Sequence, residues 1–253
     1  MKHVDAIVIG GGILGCMTAR NLRRWHISTL LIEKEADLCT GITRANSAIV
    51  YAGYDNKPGS RKAELTVRGN ANMDSLCEEL EVPFSRCGSL LVTYDPQSVS
   101  RLERKLKNGI ANGVPGLRLL TGAEAEAMEP MLRKGVAAAL YAPSTGTVNP
   151  WQLGIAACEN AVQNGVQLRL NTRVIAMHKD AGEFVLETDR STFTAKAVVN
   201  CAGLAADRVQ KMLFPTSVHI VPTAGDYIII DRVCPGIPAH ILEYEPENGE
   251  KGL

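Results

Sequence analysis

The chain has 253 residues, is 45% hydrophobic, and balances 27 basic against 27 acidic residues for a formal net charge of zero. That apolar content supports a substantial core, in one large domain or two interleaved ones, and the balanced charge leaves no footprint for a nucleic acid or other polyanion. No apolar run approaches a membrane span, the short N-terminal apolar segment contains Asp5 and does not read as a signal peptide, and the seven scattered cysteines form no C-x-x-C and no zinc or iron–sulfur spacing. They read as reduced, mostly buried thiols of a cytoplasmic protein, with no metal site.

In chain order, Val4-Asp5-Ala6-Ile7-Val8-Ile9 is a β-branched run that leads directly into Gly10-Gly11-Gly12-Ile13-Leu14-Gly15, a G-x-G-x-x-G. A helix is expected from about Ile13 to Arg24. A second apolar run, Thr29 to Ile32, ends at Glu33. This is the strand–turn–helix–strand–acid order of a dinucleotide-binding unit. Gly10 permits the tight turn, Gly12 leaves room for a pyrophosphate, and Gly15 lets the helix pack close to the sheet. The helix N-terminus offers N–H groups and a positive dipole end to phosphates. Glu33, 33 − 15 = 18 positions beyond the last glycine, is placed to accept bonds from a ribose diol. The acid favours NAD or FAD over NADP and does not separate the first two.

A long stretch of small and polar residues follows, from Lys34 to Tyr54. It turns apolar at Ala48-Ile49-Val50, and it reads as a binding loop. A helix is expected over 60–82, with Leu65, Met73, Leu76 and Leu80 near one face and Gly69 interrupting it. Phe84 to Thr93 reads as a strand with a bulge at Gly88. Asp95-Pro96 opens a helix running to about Asn112, and Thr121-x-x-Glu124 is a capping box. Val136 to Tyr141 is a strand, and 143–150 a loop. Pro150 starts a helix that stops at Asn164-Gly165. Strands are expected at Gln167–Leu170, Arg173–His178, Glu183–Thr188, Ala197–Asn200, Val218–Pro222 and Tyr227–Asp231, with a helix from about Ala205 to Leu213.

The fold class expected is α/β: a Rossmann-like domain interleaved with a mixed α+β domain. Residues 1–83 and 143–215 form the first, discontinuous domain. Residues 84–142 and 216–253 form the second, richer in antiparallel strands.

The glycine turn with Glu33, the loop Thr43-Arg44-Ala45-Asn46-Ser47, the strand around Val174, Gly146-Thr147-Val148-Asn149-Pro150, and Val198-Val199-Asn200-Cys201-Ala202-Gly203 through Asp207 stand in one order. The set resembles the FAD-dependent oxidoreductases of the D-amino-acid-oxidase superfamily. Tyr51 to Ala63 is similar to a segment shared by bacterial FAD-dependent glycerol-3-phosphate dehydrogenases and L-2-hydroxyglutarate dehydrogenases.

The resemblance implies FAD as cofactor and a small hydroxy substrate that gives hydride to the flavin. Glycerol 3-phosphate leads, with L-2-hydroxyglutarate or another 2-hydroxy or amino acid behind it. It implies that Gly10, Gly12, Ile13, Leu14 and Gly15 lie against the pyrophosphate, and that Glu33 and Lys34 lie at the adenosine ribose. Thr43, Asn46 and Ser47 would line the pyrophosphate–ribityl side. Val174 would offer its backbone to the adenine, Ala202 and Gly203 would let the chain pass close to the cofactor, and Asp207 would lie nearby. An acid early in a helix also compensates the helix dipole, a structural role open to Asp207. The catalytic base is unassigned: Tyr51 stands where relatives often have His, and Tyr54, Lys62 and Arg68 are candidates for substrate contact. The electron acceptor, whether quinone, oxygen or a partner redox protein, is open, and so is a place at the membrane periphery. The chain ends at Gly252-Leu253 within the substrate domain of its relatives, so an FAD-binding but catalytically incomplete portion is the reading of another class.

Overall fold

The expected strand–turn–helix–strand order forms in a computed structural model, which describes residues 2–215, 217–231 and 233–245. In chain order the elements begin with β1 (Lys2–Ile9), α1 (Ile13–Arg23), β2 (Thr29–Ile32), β3 (Ile49–Val50), α2 (Arg61–Ala71), α3 (Met73–Glu79), β4 (Phe84–Ser85) and β5 (Ser89–Thr93). Then come α4 (Val99–Ala111), β6 (Arg118–Thr121), α5 (Gly122–Met128), β7 (Ala138–Ala142), β8 (Gly146–Val148) and α6 (Pro150–Gln163). The last are β9 (Gln167–Arg169), β10 (Val174–Asp180), β11 (Glu183–Thr188), β12 (Thr192–Asn200), α7 (Ala206–Lys211) and β13 (Ile241–Tyr244).

Two units share these elements. The first takes residues 1–47, 79–82 and 149–226, and the second 48–78, 83–148 and 227–253. This differs from the expected division: residues 48–78, 83 and 143–148 fall in the second unit, and 216–226 in the first.

The first unit is built on a six-stranded sheet, β10-β11-β12-β1-β2-β9. β12, β1, β2 and β9 run parallel, while β10 and β11 are antiparallel additions. β2 is buried along its whole length, and Ile7 and Val8 of β1 are fully buried, as continuous apolar runs in a parallel sheet should be. α1 packs on α6 through small residues. Cys16 and Ala19 on one helix and Ala157, Cys158 and Ala161 on the other are buried, which lets the two backbones approach closely. Among Val4, Ile7, Ile9, Leu30, Ile32, Leu186 and Phe193 lies the core of this unit.

The second unit holds a four-stranded sheet, β13-β5-β7-β6, and a small antiparallel sheet, β3-β8-β4. Leu91, Leu102, Leu140 and Tyr54 centre one core cluster, and Leu90, Val92, Leu120 and Ala125 another. The helix starts read from sequence are in place. Asp95 accepts from the Gln97 N–H at 2.9 Å ahead of Pro96, Thr121 and Glu124 close a reciprocal capping box, and in the first unit Asn149 accepts from the Gln152 N–H at 3.1 Å.

Several expectations are corrected. The helix over 60–82 is two helices, interrupted at Asn72, and Leu65 is exposed rather than on the buried face. The strand 84–93 is broken into β4 and β5 at Gly88, whose φ of +72° turns the chain. β8 lies inside the expected loop 143–150, and β6 and β13 had no sequence signal strong enough to name. The strands expected at 218–222 and 227–231 are absent among the described residues: those stretches have no regular structure, and Ile228, Ile229 and Ile230 are exposed. Apolar runs become strands only when a ladder partner satisfies their backbone groups.

Glu129 ties the second unit together. It is 2% exposed, and its carboxylate accepts from the N–H groups of Ala239 (2.8 Å), His240 (3.1 Å) and Met131 (3.2 Å) and bonds the His240 ring at 3.1 Å. Burial pushes this carboxyl up, but the bonds, led by the His240 ring, outweigh it and hold the group below the ordinary glutamate value of 4.5. A depressed folded-state pKa gives stability that is present above the unfolded value and lost as pH falls through the folded one. The melting temperature is therefore expected to drop on acidification below about pH 4.5, and Glu129→Gln should flatten that dependence in a pH series of thermal melts.

A nucleotide-binding turn as the candidate functional site

The turn after β1 sits where parallel strands end side by side, since Ile9 is in register with Ile32 of β2 and with Asn200 of β12. Gly10 has φ +106°, and a Cβ there would lie 2.4 Å from the Cys201 carbonyl oxygen. A Cβ at Gly15 would lie 1.8 Å from the Gly10 carbonyl oxygen, so only glycine allows this approach of helix to strand. Gly12 is different. Its φ of −79° suits any residue, and a Cβ there would meet only Thr43 Oγ1, at 3.1 Å.

Gly12 is the N-cap of α1 and makes no side-chain cap bond, and the first turn carries no acidic residue. No acid within its own first turn therefore offsets the positive end of this eleven-residue helix. Ile13 donates its N–H to Thr43 Oγ1 at 3.0 Å, and the Leu14 side chain is exposed. Asn46 donates to the carbonyls of Ile42 (3.1 Å) and Thr43 (2.9 Å), which holds the Thr43 loop in shape, while Ser47 is exposed at the end of this unit's first segment.

Glu33 is buried beside the turn. One carboxylate oxygen accepts from the Gly11 N–H at 2.7 Å and the other from the Glu35 N–H at 2.9 Å. The acid therefore braces the glycine turn, and each oxygen keeps a second lone pair for a hydroxyl donor. Lys34 pairs with Glu35. Residues 169–172 run alongside: the Glu33 N–H donates to the Arg169 carbonyl (2.8 Å), and the Thr172 N–H donates to that of Glu33 (2.9 Å). Val174 follows two residues later, at the start of edge strand β10. Loss of the brace leaves a buried N–H unpaired, so Glu33→Ala is expected to lower the stability of the flavin-free chain by about 1–3 kcal/mol. An unchanged thermal melt without flavin would show that the carboxylate does not hold the turn.

On the other side, the Cys201 N–H donates to the Ile9 carbonyl at 2.8 Å, and the Ala202 N–H to Asn200 Oδ1 at 3.2 Å. Ala202 thus sits next to Gly10, and Gly203, with φ +55°, starts the short turn into α7. Asp207 lies in the first turn of α7, where its carboxylate accepts from the N–H groups of Ile220 (3.3 Å) and Arg208 (2.8 Å). The Ile220 bond is the largest cause holding that carboxyl below its usual range. Asp207 thus ties the Ile220 segment to the start of α7.

The first unit therefore brings Gly10, Gly12, Gly15, Glu33, Thr43, Ala202 and the 169–174 segment together. The four candidates for substrate chemistry, Tyr51, Tyr54, Lys62 and Arg68, lie in the other unit. Tyr54 is corrected: it is 4% exposed and donates its hydroxyl to Glu243 Oε1 at 2.9 Å, with burial pushing its pKa well above the ordinary value. A phenol held there packs the core. Lys62 and Arg68 are exposed on α2, and Tyr51 is about half exposed. Asn70 went unnoticed in the sequence. It is buried in α2 and donates to the carbonyls of Val50 (3.3 Å), Tyr51 (3.1 Å) and Ser144 (2.9 Å), fixing the backbone that carries Tyr51. Its signal was a polar residue next to Gly69 in an otherwise amphipathic helix.

A parallel sheet, a glycine turn leading into a helix start, and a bracing acid define a dinucleotide-binding protein of the Rossmann class. A profile of the FAD dependent oxidoreductase family matches residues 5–250, and the chain belongs to that family. It is 39% identical over 249 residues to a glycerol 3-phosphate dehydrogenase of Caloramator mitchellensis, which covers 98% of this chain and 52% of that protein. It is 32% identical over 241 residues to the mitochondrial L-2-hydroxyglutarate dehydrogenase of Homo sapiens, covering 89% of this chain and 52% of that one. Among solved structures, an FAD-bound L-alpha-glycerophosphate oxidase from Mycoplasma pneumoniae superposes with a TM-score of 0.79 at 26% identity, over 84% of this chain and 57% of that one. The chain spans about half the length of the curated relatives it matches. Among the described residues, no group of three or more His, Cys, Asp or Glu could hold a metal ion, and no helix is long and apolar enough to cross a membrane.

Proposed function

We propose that this chain belongs to an FAD-dependent dehydrogenase that oxidises glycerol 3-phosphate. The observation that carries the substrate is the 39% identity to a glycerol 3-phosphate dehydrogenase across 98% of the chain. L-2-hydroxyglutarate is the second reading, favoured by 32% and 33% identity to two L-2-hydroxyglutarate dehydrogenases. The first unit is the FAD-binding domain and the second contributes to the substrate side.

The residues of the turn fit the ADP half of the cofactor. The start of α1 at Gly12, Ile13, Leu14 and Gly15 receives the pyrophosphate, and Glu33 accepts from the ribose while bracing Gly11. Thr43, Asn46 and Ser47 continue along the pyrophosphate–ribityl side, and Ala202-Gly203 lets the backbone close on the cofactor next to Gly10. Val174 offers its backbone to the adenine. FAD held there would supply the hydride acceptor for oxidation of the substrate's carbinol carbon. Lys34 and Asp207, already engaged by Glu35 and by Ile220, have the weaker assignments. No residue of this chain is assigned as the base; Tyr51, about half exposed, can donate a hydrogen bond, but a phenol is a poor base.

The test is the cofactor released on denaturation, followed by turnover of glycerol 3-phosphate and L-2-hydroxyglutarate with an artificial electron acceptor. Faster turnover of glycerol 3-phosphate is expected. Turnover of L-2-hydroxyglutarate alone moves the assignment to that branch, and bound FAD with no turnover assigns a binding portion that needs further chain. A narrower result is expected from Tyr51→Phe: a shift in the bound flavin's absorbance or potential, with FAD affinity unchanged. A variant that melts earlier and leaves the flavin signal alone takes Tyr51 out of the site.

A further inference from the structure

Three free thiols meet behind the glycine turn. Cys16 of α1, Cys39 in the loop after β2 and Cys158 of α6 are each at most 2% exposed. The Gly11 carbonyl accepts from the Cys39 N–H at 2.9 Å, from the Cys16 thiol at 3.4 Å and from the Cys39 thiol at 3.7 Å. Cys39 is held at φ +58°, a left-handed conformation that a side chain rarely adopts. On α6, a Cβ at Gly154 would lie 2.3 Å from Cys39 Sγ, so the helix needs glycine there to admit the sulfur. Backbone strain, a missing side chain and a shared carbonyl all accommodate one sulfur atom. Plain packing asks for none of them.

We propose that Cys39 is a peroxide-reactive thiol that closes a reversible disulfide with Cys16 across the Gly11 carbonyl. Cys39 sulfur attacks one oxygen of hydrogen peroxide: the S–O bond forms, the O–O bond breaks, and the second oxygen leaves as water with the thiol proton. Cys16 sulfur then attacks Cys39 sulfur. The S–S bond forms, the S–O bond breaks, and the hydroxyl leaves as water with the Cys16 proton. Two thiols are oxidised and one peroxide is reduced to two waters. The hydrogen bond from Cys16 holds Cys39 below the ordinary thiol value, which suits the attacking sulfur. Bonds with Cys158 and then Cys39, together with burial, push Cys16 up, so it reacts second. Once bridged, neither sulfur carries a hydrogen, so the bridge strips both thiol donors from the Gly11 carbonyl, on the residue whose N–H Glu33 braces. The bridge itself is independent of what the turn binds; its effect on flavin rests on the FAD reading.

The test uses the full chain carrying Cys87→Ser and Cys234→Ser, which removes the exposed thiol and one of the two partly exposed ones, leaving Cys201. After hydrogen peroxide, non-reducing digestion and mass spectrometry should give a Cys16–Cys39 peptide two hydrogens lighter than its parts, lost on adding dithiothreitol. In Cys16→Ala, Cys39 should accumulate as a sulfenic acid trapped by dimedone, and Cys158→Ala should keep the bridge. Unmodified Cys39 after peroxide, or a bridge through Cys158, overturns the proposal. A parallel arm follows bound FAD by fluorescence. Release on oxidation and rebinding on reduction are expected, and a bridged chain that retains its flavin overturns the coupling alone.

Discussion

Gly12→Val is expected to yield a folded chain that no longer retains FAD. The backbone at Gly12 is extended in a way valine accepts, and the first contact of a new Cβ is a side-chain oxygen, Thr43 Oγ1, at 3.1 Å. The melting temperature should therefore move by only about 2–4 °C, the shift for roughly 1 kcal/mol in a chain of this size. The branched side chain instead occupies the space in front of the α1 N-terminus, where a pyrophosphate would receive N–H bonds. Affinity should fall by roughly a hundredfold, ~2.7 kcal/mol. Flavin content on the purified protein, read beside a thermal melt, separates the two effects. A folded Gly12→Val chain with undiminished flavin would move the pyrophosphate away from this turn.

Gly15→Ala should do the opposite and damage the fold before any ligand is considered. The added carbon would sit 1.8 Å from the Gly10 carbonyl oxygen, a backbone atom that cannot rotate aside. Gly10 is itself locked by φ +106° and by the Cys201 carbonyl. The helix must shift off the strand end, at a cost of about 3 kcal/mol or more. A drop in melting temperature of about 6–12 °C in flavin-free protein is expected. If the variant melts with the parent, α1 does not approach β1 as closely as described.

This contrast shows what was readable in the amino-acid sequence. Gly10, Gly15 and the acid at 33 follow from the short-range geometry of a strand, a turn and a helix, and so do the starts at Asp95, Thr121 and Asn149. Capping and turn chemistry act within a few residues, so the signal is local. Tyr54 was misread because its burial is tertiary. It sits against Gly109, where a Cβ would come within 2.8 Å of the tyrosine Cβ, and it donates to Glu243, 189 residues away. The brace from Glu33 to Gly11 is likewise a pairing across 22 residues that no spacing rule encodes. Residues 227–231 carry a strand-like apolar run, but without a ladder the run is only composition. β13, at Ile241–Tyr244, shows the converse: a weak pattern becomes a strand because β5 offers it a parallel register.

The parallel pairing of β1 with β12 also sets a timetable for synthesis. Asn200 lies 191 residues after its register partner Ile9, whereas Ile32 on the other flank follows within 23. At translation rates of about 5–20 residues per second, β1 waits roughly 10–40 s with one edge open. Val4, Ile7 and Ile9 are in that strand, and they are buried once the sheet closes. Until Thr192–Asn200 emerges, the nascent chain carries an apolar strand with an unpaired edge, a template for the wrong partner. Its yield in a cell should thus depend more on chaperone supply during translation than on the equilibrium stability of the finished sheet.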